Sequence, residues 1–322
     1  MTISNVLDLS ALDTASRVLL SVNLKPVQGT RFQPTGFPDL GAATFVVPQA
    51  DGSGRPALLV ESAQSMANHL EAVCWDASKE ELVDPLHGLS YVRVERDGTF
   101  LTSSVLEAHR LNSHYIEAGN KGAFHKALAA EIAVAKDEPI DPRRFRSTVL
   151  KYDVNSLVHG VFLESIDGRL RIARTLSSFI EADDVNVATS GGVKNDHVSP
   201  QKLEGKGAAS GQGNVPFHRE EYTARRITAY FSLDLNQIRG YGLGPDVEDM
   251  LIALALFKIR RLLDCHLRLR TACDLELVDQ DVEADRPSGF RLPDAASLDA
   301  LVRRAISACR DRMAGVTTVK YE

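Results

Sequence analysis

Long apolar runs are missing from this chain of 322 residues: no segment approaches the ~18 uninterrupted apolar residues that a membrane span needs. The N-terminus, MTISNVLDLSALDTASRVLL, lacks a basic stretch followed by an apolar one, so no secretory signal is expected and the cytoplasm is the expected location. Cysteine is sparse. Cys74, Cys265, Cys273 and Cys309 form no CxxC pair and sit in apolar patterns, where a reduced thiol acts as a small hydrophobe. His109 and His114 have no HExxH companion, so neither a metal nor another cofactor is expected. An excess of positive charge is also absent: the formal net charge of -6 argues against a uniformly basic nucleic-acid binder. The distribution is more telling, because Asp141 to Arg174 and Lys258 to Arg270 are locally basic while six carboxylates gather in DLELVDQDVEAD, a solvated outer face. With 44% apolar and 25% charged residues, the composition is that of a globular protein able to bury a sizeable core.

Period-two alternation marks a strand in RVLLSVNLKPV, with Val18, Leu20, Val22 and Leu24 on one side. ESAQSMANHLEAVCW follows with Ala63, Met66, Ala67, Leu70, Val73 and Cys74 at helical spacing, and with Gln64, Asn68 and Glu71 turned to solvent or a ligand. Further strands are predicted at SLVHGVFLE (Leu157, His159, Val161, Leu163), RITAYFSLDL and HLRLRTACDLEL. Between the last two, VEDMLIALALFKIRRLLD reads as a buried helix, its early acids and its later Lys258, Arg260 and Arg261 suiting the helix dipole. The order strand, helix, strand, strand, helix, strand predicts an α+β fold of the ferredoxin-like, or RNA-recognition-motif, kind. Its connections are unusual: about eighty residues separate the first helix from the second strand and about sixty separate the second strand from the third, lengths that are rare without a function. The longer one contains a helical stretch, KGAFHKALAAEIAVAK.

The shorter one contains EGKGAASGQGNVPFHR. It is not a P-loop, which needs G-x-x-x-x-G-K-S/T, because Gly207 follows Lys206 where the hydroxyl should be. Nor is it the dinucleotide G-x-G-x-x-G, which opens a helix within a parallel unit. Its flanks carry Lys194, Lys202, Lys206, Arg219, Arg225 and Arg226 against Asp196, Glu204, Glu220 and Glu221, with Phe217 and His218 beside them. Cations that neutralise phosphates and rings that stack on bases suit single-stranded nucleic acid, although a plain surface loop has the same composition. The glycines are expected to let the arm bend until RNA or a neighbouring subunit orders it.

Six strings carry a resemblance to a known family: VQGTRFQPTGFPDLGAA (Val27 to Ala43), VESAQSMANHLEAVCWD, LTSSVLEAHRLNS, SGGVKNDHV, GNVPFHREEYTA and LRLRTACDLE. Together, and in this order, they resemble the CRISPR-associated RAMP backbone protein of type I-G (formerly I-U) systems, the seventh group of the Cas superfamily. The resemblance implies a single RAMP domain shaped like a hand: a ferredoxin-like palm (15–75, 150–165, 225–280), helical fingers (76–149), a thumb (166–224) and a C-terminal helix (294–314). It implies a non-enzymatic subunit that polymerises with copies of itself along the guide RNA (crRNA) and presents it for pairing with target DNA. The other implied partners are a large subunit, a guide-processing subunit and a helicase-nuclease that does the cutting; no membrane is involved.

On the matching strings, Arg31, Gln33 and Thr35 are candidates for phosphate or sugar contacts, Arg31 having a structural alternative. Ser62, Gln64, Ser65 and Asn68 lie at a helix start that favours an anion, where Ser62 is equally suited to be an N-cap. In the thumb, Lys194, Asn195, Lys202, Lys206, His218 and Arg219 are phosphate candidates; Phe217 either wedges a base or anchors the thumb. Lys151 and Arg174 are further candidates from the basic stretch. Two rival readings remain. Asp39 of GFPDLG lies in the loop where related RNA-targeting backbone subunits carry a cleaving aspartate, and it also suits a turn. A metabolic enzyme of ferredoxin-like fold finds no catalytic pattern to support it.

Overall fold

The computed structural model describes residues 9–37, 41–133, 138–194, 215–265 and 267–322. In β1 (Arg17–Pro26) Val18, Leu20, Val22 and Leu24 are buried while Arg17, Ser21, Asn23 and Lys25 face out, the one-sided burial that the alternation predicts. Next come β2 (Thr44–Pro48), β3 (Gly54–Glu61) and α1 (Ala63–Ala72). The middle of the chain holds β4 (Tyr91–Arg96), β5 (Thr99–Ser103), α2 (Ala123–Ile132), α3 (Pro142–Tyr152), α4 (Val154–His159), β6 (Val161–Phe162) and β7 (Arg171–Ile172). The long strands β8 (Leu176–Lys194) and β9 (Val215–Asp234) precede α5 (Pro245–Cys265), β10 (Arg268–Arg270), β11 (Cys273–Leu277), α6 (Ala295–Ala308) and β12 (Val316–Lys320). The fold is mixed α+β. Its main sheet has the order β10-β11-β1-β9-β8-β3-β2 with antiparallel neighbours throughout. A smaller sheet, β12-β4-β5, joins the C-terminal strand in parallel to β4.

The core lies where α1 packs on β8, α5 packs on α1 and β11, and α6 covers α5. Ile227, Ala229, Phe231 and Leu233 of β9 point into it, as do Ile180 and Ala182 of β8. Every residue of α5 from Met250 to Arg260 is buried, so this helix needs no polar face. Each such Leu, Ile or Phe contributes about 1.5–3 kcal/mol on burial. The six carboxylates between Asp274 and Asp285 are all exposed, alternating with buried Leu275, Leu277, Val282 and Ala284. No helix among the described residues is long and apolar enough to cross a membrane.

The strand predicted at Leu157–Leu163 is not there. Val154–His159 is helical with every residue buried, and only Val161–Phe162 is extended. In a segment enclosed on all sides apolar residues can fall at either phase, so its alternation carried no strand information. Residues 150–165 are therefore mostly helical, and the strand in second place is β8, within the span 166–224. The fourth strand is also divided: Thr271 and Ala272 turn the chain, so β10 and β11 form a hairpin. Two side chains sit differently from their predicted surroundings. Glu71, expected to face solvent or a ligand, is 4% exposed, and Lys258, read as a helix-end cation, is 1% exposed.

Candidate nucleic-acid interface

Beyond Asp183, where its pairing with β3 ends, and Ile227, where β1 stops pairing with β9, strands β8 and β9 continue as a two-stranded ribbon that, among the described residues, only the bridge from Phe32 to Tyr222 joins. About ten residues of each strand project in this way, a ribbon about 33 Å long at about 3.3 Å per residue. The loop after β1 braces its base: Phe32 and Tyr222 exchange both backbone hydrogen bonds at 2.9 Å, and buried Phe32 fills the corner. Toward the far end, Ser190, Gly191, Gly192 and Lys194 pair with Arg219, His218, Phe217 and Val215. The Phe217 ring is 50% exposed and lies over Gly192, where an added Cβ would approach it to 3.3 Å. Gly191 is tighter, since a Cβ there would lie 2.6 Å from the Phe217 carbonyl oxygen. These glycines therefore accommodate Phe217, which leaves an aromatic face open on the ribbon.

Arg31 and Arg219, far apart in sequence, converge on the buried carboxylate of Glu221. Arg219 donates from Nε at 2.8 Å and lies 2.5 Å away through Nη2, while Arg31 Nη1 is 3.4 Å from the other oxygen. Two cations share one anion, so net positive charge remains on this face of the ribbon. Gln33 and Thr35 tie this loop down by their backbones: Gln33 N–H donates to Ala272 O at 2.7 Å and Thr35 N–H to Val60 O at 2.9 Å. Arg270, ion-paired with buried Glu61, donates to Gln33 O at 2.9 Å.

A second group gathers around the start of α1. Ser62 is its N-cap, accepting from Ser65 N–H at 3.2 Å, and Asn68 is exposed one turn further on. Arg174 reaches this end of the helix, donating to Gln64 Oε1 at 2.5 Å and to Ala63 O at 3.1 Å. It is also part of the wall of a cleft of about 520 Å³ that Arg171, His109 and His159 line as well. Lys151 has a different environment: it pairs with Glu131 at 2.8 and 2.9 Å, and Tyr152 donates to the same carboxylate. Asn195, Lys202, Lys206 and the rival Asp39 lie outside the described residues.

Beneath the cleft is a buried polar network that sequence reasoning missed. Arg110 Nε and Nη2 donate to the two Glu71 oxygens at 2.7 and 2.9 Å, and Arg110 Nη1 donates to Gly160 O at 3.1 Å. The Asn155 amide donates to Glu71 at 2.5 Å; Lys258 donates to Asn155 Oδ1 and, at 3.0 Å, to His159 Nε2. Burial, with the nearby cations Lys258, Arg110 and Arg174, holds the His159 imidazole well below its ordinary pKa, so it is neutral. Burial pushes the neighbouring Asp153 carboxyl up to about 6. The one advance signal was polar residues inside otherwise apolar runs, Lys258 after Phe257 and His159 after Val158. Among the described residues no group of three or more His, Cys, Asp or Glu side chains forms a metal cluster.

Residues 18–187, more than half of the chain, match the family model described as CRISPR-associated protein GSU0053. No curated protein sequence matches. Among solved structures, a chain of a "CRISPR RNA-guided surveillance complex, pre-nicking" is similar over 91% of this chain and 88% of its own, with 12% identity and a TM-score of 0.39.

Proposed function

The chain belongs to the CRISPR-associated protein GSU0053 family, and on that premise we propose that it is the guide-RNA-binding backbone subunit of a type I surveillance complex of the I-G kind. Copies polymerise along the spacer of the guide and hold its bases ready to pair with target DNA; the subunit itself cuts nothing and works in the cytoplasm. The sheet order supports a ferredoxin-like palm, because β11-β1-β9-β8 runs fourth, first, third, second among the strands of a strand-helix-strand-strand-helix-strand chain.

The observation that carries the reading is the ribbon. A two-stranded hairpin standing alone is only marginally stable in water, so its length is explained if a ligand or neighbour covers it. Its free edges offer unpaired backbone groups to a second copy. Phe217 offers a ring for a base, Arg219 and Arg31 retain net positive charge for phosphate, and Lys194 extends this chemistry outward. In this reading the ribbon is the thumb, and the helical residues within 76–149 are the fingers.

Co-expression with a guide RNA tests it. Purified complex is expected to carry RNA of uniform length, with several protein copies per guide. A nucleic-acid-free monomer recovered under low salt would overturn the reading.

A further inference from the structure

The surface around α3 is basic. Arg143, Arg144, Arg146 and Lys151 lie on this helix, and the turn Arg310–Arg312 after α6 adds two more arginines beside it, Ala314 N–H donating to Lys151 O at 2.9 Å. Arg144, Lys151 and Arg312 line one cavity of about 340 Å³. Neutral carbonyls hold three of the guanidiniums: Arg144 donates to Glu131 O at 2.6 Å, Arg146 to Gly240 O at 2.9 Å and Arg312 to Leu243 O. Arg143 and Arg310 are exposed. Among the described residues none of these five arginines forms an ion pair, and the Glu131 carboxylate is matched by Lys151. Asp141 and Asp311 stand among the cations, while Asp246 and Asp249 line a separate cleft with Asp13 and Arg304.

The chain carries the opposite charge on its other flank. The six carboxylates between Asp274 and Asp285 are exposed, and among the described residues only Lys25 and Arg291 pair with them. Their strip runs along the edge of β1, where Val278 N–H donates to Asn23 O at 3.0 Å and Asp285 N–H to Leu19 O at 2.8 Å. Val278 is 50% exposed within it, and exposed Arg286 ends it. Helix α3 belongs to the far side: it leads into α4, which packs on α5 and β8, and β9 and β1 stand between β8 and β11. Among the described residues no ion pair joins the two surfaces within the chain.

We infer that these surfaces bind each other between copies, the basic surface around α3 of one chain taking the acidic strip of the next. Complementary patches on opposite flanks make a heterologous contact, which continues head to tail instead of closing a pair. The mixture of signs favours a second copy over a polyanion: Asp141 and Asp311 would repel a phosphate backbone, whereas Arg286 in the strip offers them a cation. That the copies line up on a guide rests on the function proposed above; the charge match does not. The contact is separate from the ribbon, and it sets the order and direction of neighbouring copies, because charges across an interface fix register and exclude wrong partners.

Charge reversal in the full chain tests this. Arg143→Glu with Arg310→Glu, and Asp274→Lys with Asp279→Lys, change exposed side chains that form no ion pair among the described residues, so both variants should keep the wild-type Tm. Sedimentation velocity is run at about 50 mM and about 500 mM NaCl, where exposed charges are weakly and strongly screened, without RNA and with a single-stranded RNA long enough for several copies. The wild type should associate, and less so at high salt. Each variant alone should associate at least about tenfold more weakly, and an equimolar mixture of the two should recover the wild-type behaviour, since every junction between alternating variants joins opposite charges. Either variant associating as strongly as the wild type, or a mixture no better than its components, overturns the interface, as does a wild type that stays monomeric in both arms. In fluorescence anisotropy with an RNA short enough to hold one copy, both variants should match the wild type; weaker binding by the arginine variant, with no recovery in the mixture, makes the basic surface a nucleic-acid site and overturns the proposal too. Association and recovery in a chain that binds no RNA would sink the proposed function and leave the interface standing.

Discussion

Replacing Arg110 by Met should destabilise the chain by about 3–5 kcal/mol, the cost of leaving one member of a buried ion pair uncompensated. The structure supports a cost above the roughly 0.5–3 kcal/mol usual for a single substitution. Arg110 is 7% exposed and Glu71 4%, and the pair is bidentate at 2.7 and 2.9 Å. Charge-assisted bonds contribute about 1.5–3 kcal/mol each, so losing two gives about the same total by a separate route. Met keeps much of the side-chain volume, which limits the cavity contribution. The assay is urea unfolding with the midpoint and slope fitted separately, since a midpoint change at constant slope reports stability. A second variant, Glu71→Gln with Arg110→Met, removes the stranded charge while an amide remains opposite Asn155, and should recover most of the loss. A single-variant cost below about 1 kcal/mol, or a double variant no more stable than Arg110→Met, would refute the account of Glu71 as a buried anion that needs its partner.

Asp153 should make stability depend on pH in the direction opposite to a salt-bridged acid. Its carboxyl is raised by burial to about 6, so its contribution is present below the ordinary value near 4 and is lost as pH rises through about 6. Asp153→Asn should then gain on the wild type between pH 4 and 7 by up to about 3 kcal/mol, read from unfolding curves at each pH, and a pH-independent difference would contradict this. Gly160→Ala should be destabilising by at least about 1–3 kcal/mol, because Gly160 has φ +81 and its added Cβ would lie 2.7 Å from Ile172 O; an unchanged melting temperature would refute it. Changing Lys194, Lys202, Lys206 and Arg219 together to Ala should weaken RNA binding and flatten its salt dependence, and an unaltered slope would remove the ribbon from the RNA interface. Asp39→Ala should leave complementary RNA as intact as the wild-type complex does in magnesium; site-specific cuts lost in the variant would make the subunit a nuclease.

How much of the fold could be read in advance depended on whether an element had one wet face. β1 and β9 did, and their alternation located them; α5 was recognisable because nothing on it was wet until its end. β8 escaped because its inward positions include Ser178 and Ala182, while Phe179 points the other way to stack on Tyr230 at 5.0 Å. Apolarity on the outer face and polarity on the inner one erase the period-two signal. The candidate site was partly legible. The basic character of Arg31, Arg174 and Arg219 could be read, whereas the meeting of Arg31 with Arg219 at Glu221 depends on the Phe32 to Tyr222 pairing. The polar network was beyond reach, since its bonds join residues 39 to 103 positions apart.

That network also explains why a chain with ample apolar core places charges inside it. Desolvating an ion costs several kcal/mol, and good geometry only recovers that loss, so the network is a poor source of stability. Hydrophobic contact is non-directional, however, and α5, apolar on every side from Met250 to Phe257, could rotate against α1 without exposing much. The bonds from Lys258 to Asn155 and His159, and from Asn155 and Arg110 to Glu71, select one rotation of α5 relative to α1 and α4. The same helix α1 carries Gln64, the acceptor that holds Arg174 at the cleft wall. The orientation of the His159 ring and the position of Arg174 are therefore set through one rigid ten-residue helix, whereas Arg219 and Arg31 are set by β9 and the loop after β1. RNA contact through Arg174 should thus be sensitive to the packing of α5, and contact through the ribbon should not.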